Sequence, residues 1–244
     1  MPALLNHRVY LDGTDPERDC EAFMRFRLTY EGPLLSSNPL APDKRVEHKH
    51  DIRRKIHPQL KRLWETHQFL STWKIPDDGT PLRLFKIGAK PGDPAGILQN
   101  LLPAAEVLSK IYGHSGYGFV PLVRDDQFLA CSLRILCLRR DGPGALSATR
   151  DLDNRIKTLV DALTYVPVEK WKPLDDADTE PRPDEQPHFY VLLEDDRAVT
   201  HLEVETDHAL APNPADETDE TFVRLVISVE IRPYVVTINN LDFS

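Results

Sequence analysis

Residues 128–138 constrain the fold more than any other part of this chain. Every second side chain in this stretch is apolar and lies on one face of an extended strand: Leu129, Cys131, Leu133, Ile135 and Cys137. The opposite face is also mostly apolar, which predicts a strand covered on both faces. A strand of this kind requires further layers packed on its sheet.

The neighbouring segments predict an α+β fold, a mixed β-sheet with helices packed on it. Ile156, Leu159, Val160 and Leu163 lie at helical spacing and predict an amphipathic helix. Alternating or apolar runs predict further strands at 23–30, 82–87, 188–193, 199–204 and 222–231, and a short helix at 104–112. The turn-forming run 113–118 lacks the spacing of a phosphate-binding loop and predicts a turn.

Length and composition indicate a globular protein rather than a membrane or disulfide-rich one. The 244 residues, 41% of them hydrophobic, fit a single domain spanning residues 1–244. No run approaches the roughly 18 apolar residues that span a bilayer, so no membrane association is expected. The three cysteines form no disulfide framework or metal-ligand spacing, and we expect a cytoplasmic location.

Charge is segregated along the chain, although the net charge is −9. Two proline-rich acidic stretches, 174–185 and 203–220, are typical of solvated loops. Residues 44–62 are mostly basic and predict a helix, with a kink or a second helix starting at Pro58. This basic stretch is either a phosphate-contacting surface or an ordinary solvated helix face. The candidates for contacting DNA phosphates are Lys49, Arg53, Arg54, Lys55, Arg139, Arg140 and Arg150.

An acidic motif stands where the chain is expected to enter the amphipathic helix. Asp151 and Asp153 would point to the same side of an extended segment, with Lys157 one turn further on. Paired carboxylates favour a hard divalent cation, Mg²⁺ or Mn²⁺. The alternative is that Asp153 only caps the helix. Glu194, Asp195 and Asp196 supply further carboxylates, or form a polar hairpin turn.

These residues together suit phosphodiester hydrolysis. A metal polarises the phosphate and activates a bound water, and Lys157 would stabilise negative charge in the transition state.

Residues 150–163 resemble the signature of the RusA family of Holliday-junction resolvases: Asp-x-Asp-Asn, a lysine on the next helix, then Asp-Ala-Leu. In that family an Asp-Asp pair and a strand follow, as at Asp195 and Asp196 here. The resemblance implies a RusA-like core and a metal-dependent endonuclease that acts on branched DNA as a homodimer. It makes Asp151, Asp153 and Asp196 the metal-binding catalytic acids and Lys157 their phosphate-binding partner. Asp195 is the alternative to Asp196, and Asp175 with Asp176 is a weaker one.

This chain departs from the family in its acidic balance and in two insertions, at about residues 71–126 and 164–187. The expected function is therefore a structure-selective endodeoxyribonuclease of DNA recombination or repair, without an assigned junction specificity. The alternative is a non-catalytic DNA- or protein-binding regulatory component on the same scaffold, as in a mobile-element or phage-defence system. In that case the acidic loops would bind a protein partner.

Overall fold

A computed structural model describes residues 24–36, 42–77, 101–139, 149–171, 180–210 and 221–236, together with Asn240 and Phe243. The helices are α1 (Pro42–Thr66), α2 (Ala104–Ile111) and α3 (Thr149–Leu163). The strands are β1 (Met24–Pro33), β2 (Lys74–Pro76), β3 (Leu101–Pro103), β4 (Gly113–His114), β5 (Tyr117–Val123), β6 (Leu129–Arg139), β7 (Phe189–Leu193), β8 (Val199–His208) and β9 (Phe222–Pro233). The predicted strand at 82–87 lies outside the described residues.

The main sheet has four strands in the order β1-β9-β6-β8. β9 pairs antiparallel with both β1 and β6, and β8 pairs parallel with β6. A parallel pair needs a crossover connection, and α3 lies in the chain between β6 and β8. The mixed sheet with helices confirms the predicted α+β class.

The prediction that both faces of β6 are covered is wrong. Leu129, Cys131, Leu133, Ile135 and Cys137 are buried, as expected. On the other face Arg134 is exposed, and Ser132, Leu136 and Leu138 are only half-buried. The apolar character of Leu136 and Leu138 suggested a second covering layer, but no described helix packs on that side of the sheet.

Helices α1 and α3 pack together against the inner face of the sheet. The buried side chains of α1 recur every fourth residue, at Ile52, Ile56, Leu60 and Trp64, which makes a single apolar stripe. α3 buries the predicted positions Ile156, Leu159 and Leu163. α1 continues through Pro58 as one helix, so a second helix does not start there.

A smaller sheet has the strand order β4-β5-β7. Its strands β4 and β5 fall within the predicted insertion at 71–126, and β7 follows the predicted insertion at 164–187. The predicted turn at 113–118 is a tight hairpin between β4 and β5, with Ser115 and Gly116 at φ of 51° and 81°. β5 and β7 run parallel. Thr164 forms a parallel bridge with Leu193, which joins the end of α3 to the end of β7.

None of the described helices is both long enough and apolar enough to cross a membrane. Residues 172–179 and 211–220, which hold most of the predicted acidic loops, lie outside the described part of the chain.

Candidate functional site

The end of α3, the end of β7 and one side of α1 enclose a cavity of about 290 Å³. We call it the acidic cleft, because the carboxylates Asp161, Glu194, Asp195 and Asp196 line it. Lys49, Arg53 and Lys170 line the same cavity. The cleft exists because the bridge between Thr164 and Leu193 brings the last turn of α3 beside the chain that leaves β7.

The three carboxylates of residues 194–196 have different surroundings. Glu194 accepts hydrogen bonds from the Tyr112 hydroxyl (2.8 Å) and from the Asp125 amide (2.9 Å). Asp195 accepts from the backbone and the guanidinium of Arg197, each at 2.9 Å, and these bonds lower the pKa of its carboxyl group. Asp196 is exposed, whereas the other two are half-buried. Asp196 is therefore the carboxylate of this corner that is most open to a ligand.

Two basic residues of α1 close the opposite side of the cleft. Lys49 forms an ion pair with Asp161 at 2.5 Å. Arg53 donates to the carbonyl oxygens of Asp161 (2.6 Å) and Thr164 (3.1 Å). These carbonyls belong to the C-terminal end of α3, where backbone acceptors lack partners within the helix and the helix dipole favours a cation. Arg53 thus caps α3 from the side.

The predicted DNA contacts on α1 divide into buried and exposed side chains, which corrects the expectation of one basic surface. Arg53 and Arg54 are only 5% and 8% exposed, so they do not form an open phosphate-binding surface. Arg54 forms an ion pair with Glu185 at 2.9 Å and donates to the Tyr117 hydroxyl at 3.1 Å. Lys49 is half-buried at the cleft, and Lys55 is exposed and donates to the Glu31 carbonyl at 2.7 Å. The residues that bury Arg53 and Arg54 come from distant parts of the chain, so the sequence around α1 gave no sign of their burial.

The remaining predicted DNA contacts lie elsewhere. Arg139 is half-buried at the end of β6. Arg140 and the side chain of Arg150 lie outside what the structure describes, as do the predicted rivals Asp175 and Asp176.

Histidines of α1 belong to the same buried polar layer as Arg54. The His57 Nδ1 accepts from the Tyr190 amide (2.9 Å), and its Nε2 therefore donates to the Asp184 carbonyl (3.2 Å). His50 is 1% exposed, its Nε2 is hydrogen-bonded to the Tyr117 hydroxyl, and its Nδ1 has no partner in the described part of the chain. Burial, followed by the charges of Arg54, Arg53 and Arg182, lowers the pKa of His50 from 6.5 to about 3.

Replacing His50 with phenylalanine should make the protein more resistant to acid. The folded state binds the His50 proton less tightly than the unfolded state, so His50 destabilises the fold as pH falls from 6.5 towards about 3. Removing the imidazole should raise the free energy of unfolding by about 2 kcal/mol near pH 5 and change it little at neutral pH. Urea unfolding at both pH values measures this difference. His201→Phe, at an exposed position of β8, is the control, and an equal gain from both variants would contradict the assignment.

The acidic motif lies inside α3 rather than in an extended segment before it. α3 begins at Thr149, which places Asp151 and Asp153 third and fifth in the helix. The extended segment assumed for the motif is therefore wrong, and the argument from alternation along an extended chain no longer applies. Asp153 stands beyond the capping position, so helix capping does not explain it either.

Asp153, Lys157 and Asp161 instead form a stripe along one side of α3, at successive spacings of four residues. Asp153 and Lys157 are exposed, and Asp161 is half-buried at the cleft. In the sequence, Asp161 stood out only as the aspartate of the Asp-Ala-Leu element in the RusA-like run. Its spacing from Asp153 was the signal that could have added it to the site.

The motif and the 194–196 carboxylates occupy opposite ends of this stripe. Asp153 lies two turns before Asp161, about 12 Å along the helix axis. Among the described residues, no three acidic, histidine or cysteine side chains are grouped closely enough to hold a metal ion. Asp161, Asp195 and Asp196 line one cavity. Asp153 and Lys157 are not part of that lining. The side chain of Asp151 lies outside the described residues.

The donors of the acidic cleft nevertheless suit one kind of cation. Mg²⁺ retains several of its waters and is often held by one or two carboxylates together with a substrate phosphate. Asp196 and Asp161 are carboxylates of this type, and Lys49 beside them partly balances their charge. The cleft fits a hard cation that is completed by an anionic substrate, rather than a site built wholly from protein ligands.

Comparison of this chain with protein-family models, with curated proteins and with solved structures finds no match. The RusA resemblance therefore stays a prediction from the motif.

Proposed function

We propose that this protein is a metal-dependent endonuclease that cuts DNA at the acidic cleft and along the exposed stripe of α3. The observation that carries the proposal is the arrangement of α3. The helix that contains the RusA-like motif presents Asp153 and Lys157 to solvent and ends with Asp161 in the same cavity as Asp195 and Asp196.

The exposure of these groups favours a function over a structural role. An unpaired charge gains little stability at a surface, and neither Asp153 nor Lys157 has a hydrogen bond or an ion pair with another described residue. Lys157 lies one turn from Asp153 and could bind a phosphate next to it. Lys49, which is paired with Asp161, could bind a phosphate at the other end of the stripe. The stripe thus alternates acid and base along the path that a phosphodiester backbone would follow.

Within this proposal each residue has a separate task. Asp196, with Asp161 in the same cavity, would help to hold Mg²⁺ or Mn²⁺ against a substrate phosphate. Asp195 is bonded to Arg197, and Glu194 keeps the corner in place through Tyr112 and Asp125. When bound, such a cation would polarise the phosphodiester and lower the pKa of a bound water. Lys157 and Lys49 would stabilise the negative charge that grows on the phosphate oxygens. Asp151 and Asp153 remain proposed catalytic acids at the other end of the stripe.

Branched DNA and a homodimer are parts of the proposal that rest on the motif resemblance. A two-fold dimer would present two clefts to opposite strands of a junction. Analytical ultracentrifugation of the protein with and without a four-way junction measures the stoichiometry directly.

Cleavage assays with the purified full chain test the proposal. A four-way junction, a linear duplex and a single strand are incubated with Mg²⁺, Mn²⁺ or EDTA. We expect cutting only with a metal, and a loss of about 100-fold or more in rate for Asp196→Asn, Asp153→Asn and Lys157→Ala.

Glu205→Gln is the matched control, because Glu205 is an exposed carboxylate on β8, outside the acidic cleft. It should leave the rate unchanged. A metal-dependent rate that survives all three site variants would show that the activity is located elsewhere. Full loss in Asp196→Asn with no change in Asp153→Asn would restrict the site to the cleft.

A second candidate function is DNA binding without cleavage. It is favoured by the absence of a three-ligand metal group among the described residues. Tight, metal-independent binding of DNA with no cutting by the wild-type protein would establish it and would refute the nuclease proposal.

A further inference from the structure

The outer face of the main sheet carries a row of charged side chains that the proposed site does not use. Arg27 on β1 and Arg134 on β6 are both register partners of Ser228 on β9, the strand between them. Neighbouring strands are about 4.8 Å apart, so the two arginines flank the serine from either side at about 10 Å from one another. We call Arg27, Ser228 and Arg134 the arginine row.

The charges around the row are unevenly paired. Arg134 has an exposed partner in Glu203 at 3.3 Å, whereas Arg27 has no ion-pair partner among the described residues. Arg25, two residues before Arg27 on the same face of β1, is paired with Glu230 at 2.9 Å. The positive charge of the row is therefore only partly balanced.

The row is also accessible and concave. It lies in an open depression of about 650 Å³, lined by Arg25, Arg27, Ser132, Arg134, Ser228 and Glu230. The side chains of Arg25 and Arg134 are 65% and 69% exposed. The two serine hydroxyls on its floor can donate hydrogen bonds to phosphate oxygens, as can the guanidiniums.

The corner of the acidic cleft and the arginine row are connected in the chain fold through β6. A second cavity, of about 260 Å³, lies on the other side of the Glu194–Asp195 corner and is lined by Ala130, Thr200 and Arg197. Ala130, Ser132 and Arg134 alternate along β6 and therefore share its outer face. Arg134 is about 13 Å from Ala130 along the strand. The corner and the row are thus about four residues of β6 apart, with the buried Ala130 at the cleft end and the exposed Arg134 in the row.

We propose that the arginine row binds the phosphodiester backbone of a nucleic-acid strand that extends from the acidic cleft over the outer face of the sheet. This inference rests on the proposed function for the choice of nucleic acid as the anion. The acidic side chains of β8, Glu203, Glu205 and Asp207, share this face and repel a polyanion. They confine the strand to the half of the sheet formed by β1, β9 and β6.

Binding measured in EDTA separates this inference from cleavage. Fluorescence anisotropy of a labelled single-stranded oligonucleotide is recorded over a range of salt concentrations for the wild-type chain, Arg27→Gln/Arg134→Gln and Arg27→Glu/Arg134→Glu. We expect the charge-reversed variant to bind about tenfold or more weakly at low salt. The neutral double variant should lower the slope of log affinity against log salt by about 1.4, or 0.7 for each of the two phosphates that an arginine no longer neutralises.

Lys74→Gln is the matched control, because Lys74 is an exposed cation on β2, outside the main sheet. It should change neither the affinity nor the slope. The neutral double variant keeps the inference testable if charge reversal prevents folding, which circular dichroism detects.

The possible outcomes are distinct. Metal-dependent cutting together with wild-type binding by both double variants would overturn the inference and leave the nuclease proposal intact. Binding that depends on the row, in a protein that never cuts, would support the inference and refute the nuclease. Equal displacement of the oligonucleotide by polyglutamate would overturn the assignment to nucleic acid and indicate an acidic protein partner. Absence of any DNA binding would refute both.

Discussion

Replacing Glu185 with glutamine is expected to lower the free energy of unfolding by about 3–5 kcal/mol. Glu185 and Arg54 form an ion pair at 2.9 Å with side chains only 3% and 6% exposed. The Arg54 guanidinium would lose its counter-ion and keep its buried position beside Tyr117. An uncompensated buried charge costs far more than the pair itself contributes, because water cannot replace the missing carboxylate.

Urea unfolding of Glu185→Gln measures this effect, and Glu106→Gln is its matched control. Glu106 pairs with Lys110 at 2.8 Å, but their side chains are 45% and 64% exposed. Solvent screens that pair, so Glu106→Gln should change the free energy of unfolding little. The double variant Arg54→Met/Glu185→Leu should recover most of the stability, since it removes both charges together. A Glu185→Gln protein as stable as the wild type would mean that Arg54 reaches solvent.

The second large effect is expected at Arg53. Its replacement by methionine should lower the free energy of unfolding by about 3 kcal/mol. Methionine retains the apolar part of the side chain and removes both bonds to the end of α3, at 2.6 and 3.1 Å. Hydrogen bonds from a charged group contribute about 1.5–3 kcal/mol each, and the two carbonyls would be left without these donors. Burial lowers the pKa of Arg53 to about 10, so the guanidinium stays charged at neutral pH.

Hydrogen exchange shows where the Arg53→Met effect acts. The last turn of α3 should exchange faster, whereas the first turns should be unchanged, because Arg53 contacts only the C-terminal end. Lys55→Met is the control, since Lys55 is exposed and its Nζ bonds to the carbonyl of Glu31 on β1. Uniform loss of protection over the whole protein would contradict the capping role. Because Asp161 lies in this turn, fraying should also slow any cleavage at the acidic cleft.

Local patterns in the sequence were sufficient to predict most of the secondary structure. The alternation in β1, β6 and β9, and the helical spacing of Ile156, Leu159 and Leu163, are properties of neighbouring residues and appear as predicted. The predicted start of α3 was wrong, because Leu152 is the one apolar residue among the polar residues before Ile156, and it packs against the core one turn before that position. Asp153 and Lys157 are exposed, which leaves them accessible to a ligand, and their catalytic roles stay predictions.

Periodicity is a local property of the chain, so the sequence was enough to identify the segments that form strands and helices. Which charges lie near one another depended on how those segments pack. Arg54 is buried because Glu185 packs beside it, although the two are far apart in sequence. Asp196 lines the same cavity as Asp161, and Asp153 does not, because the bridge from Thr164 to Leu193 places residues 194–196 at the far end of α3. Residue type specifies charge and donor chemistry, whereas the distance between two charges depends on how distant segments pack. The outer face of β6 also depended on packing. Its leucines are evident in the sequence, but the arrangement of the helices determines whether another layer covers them.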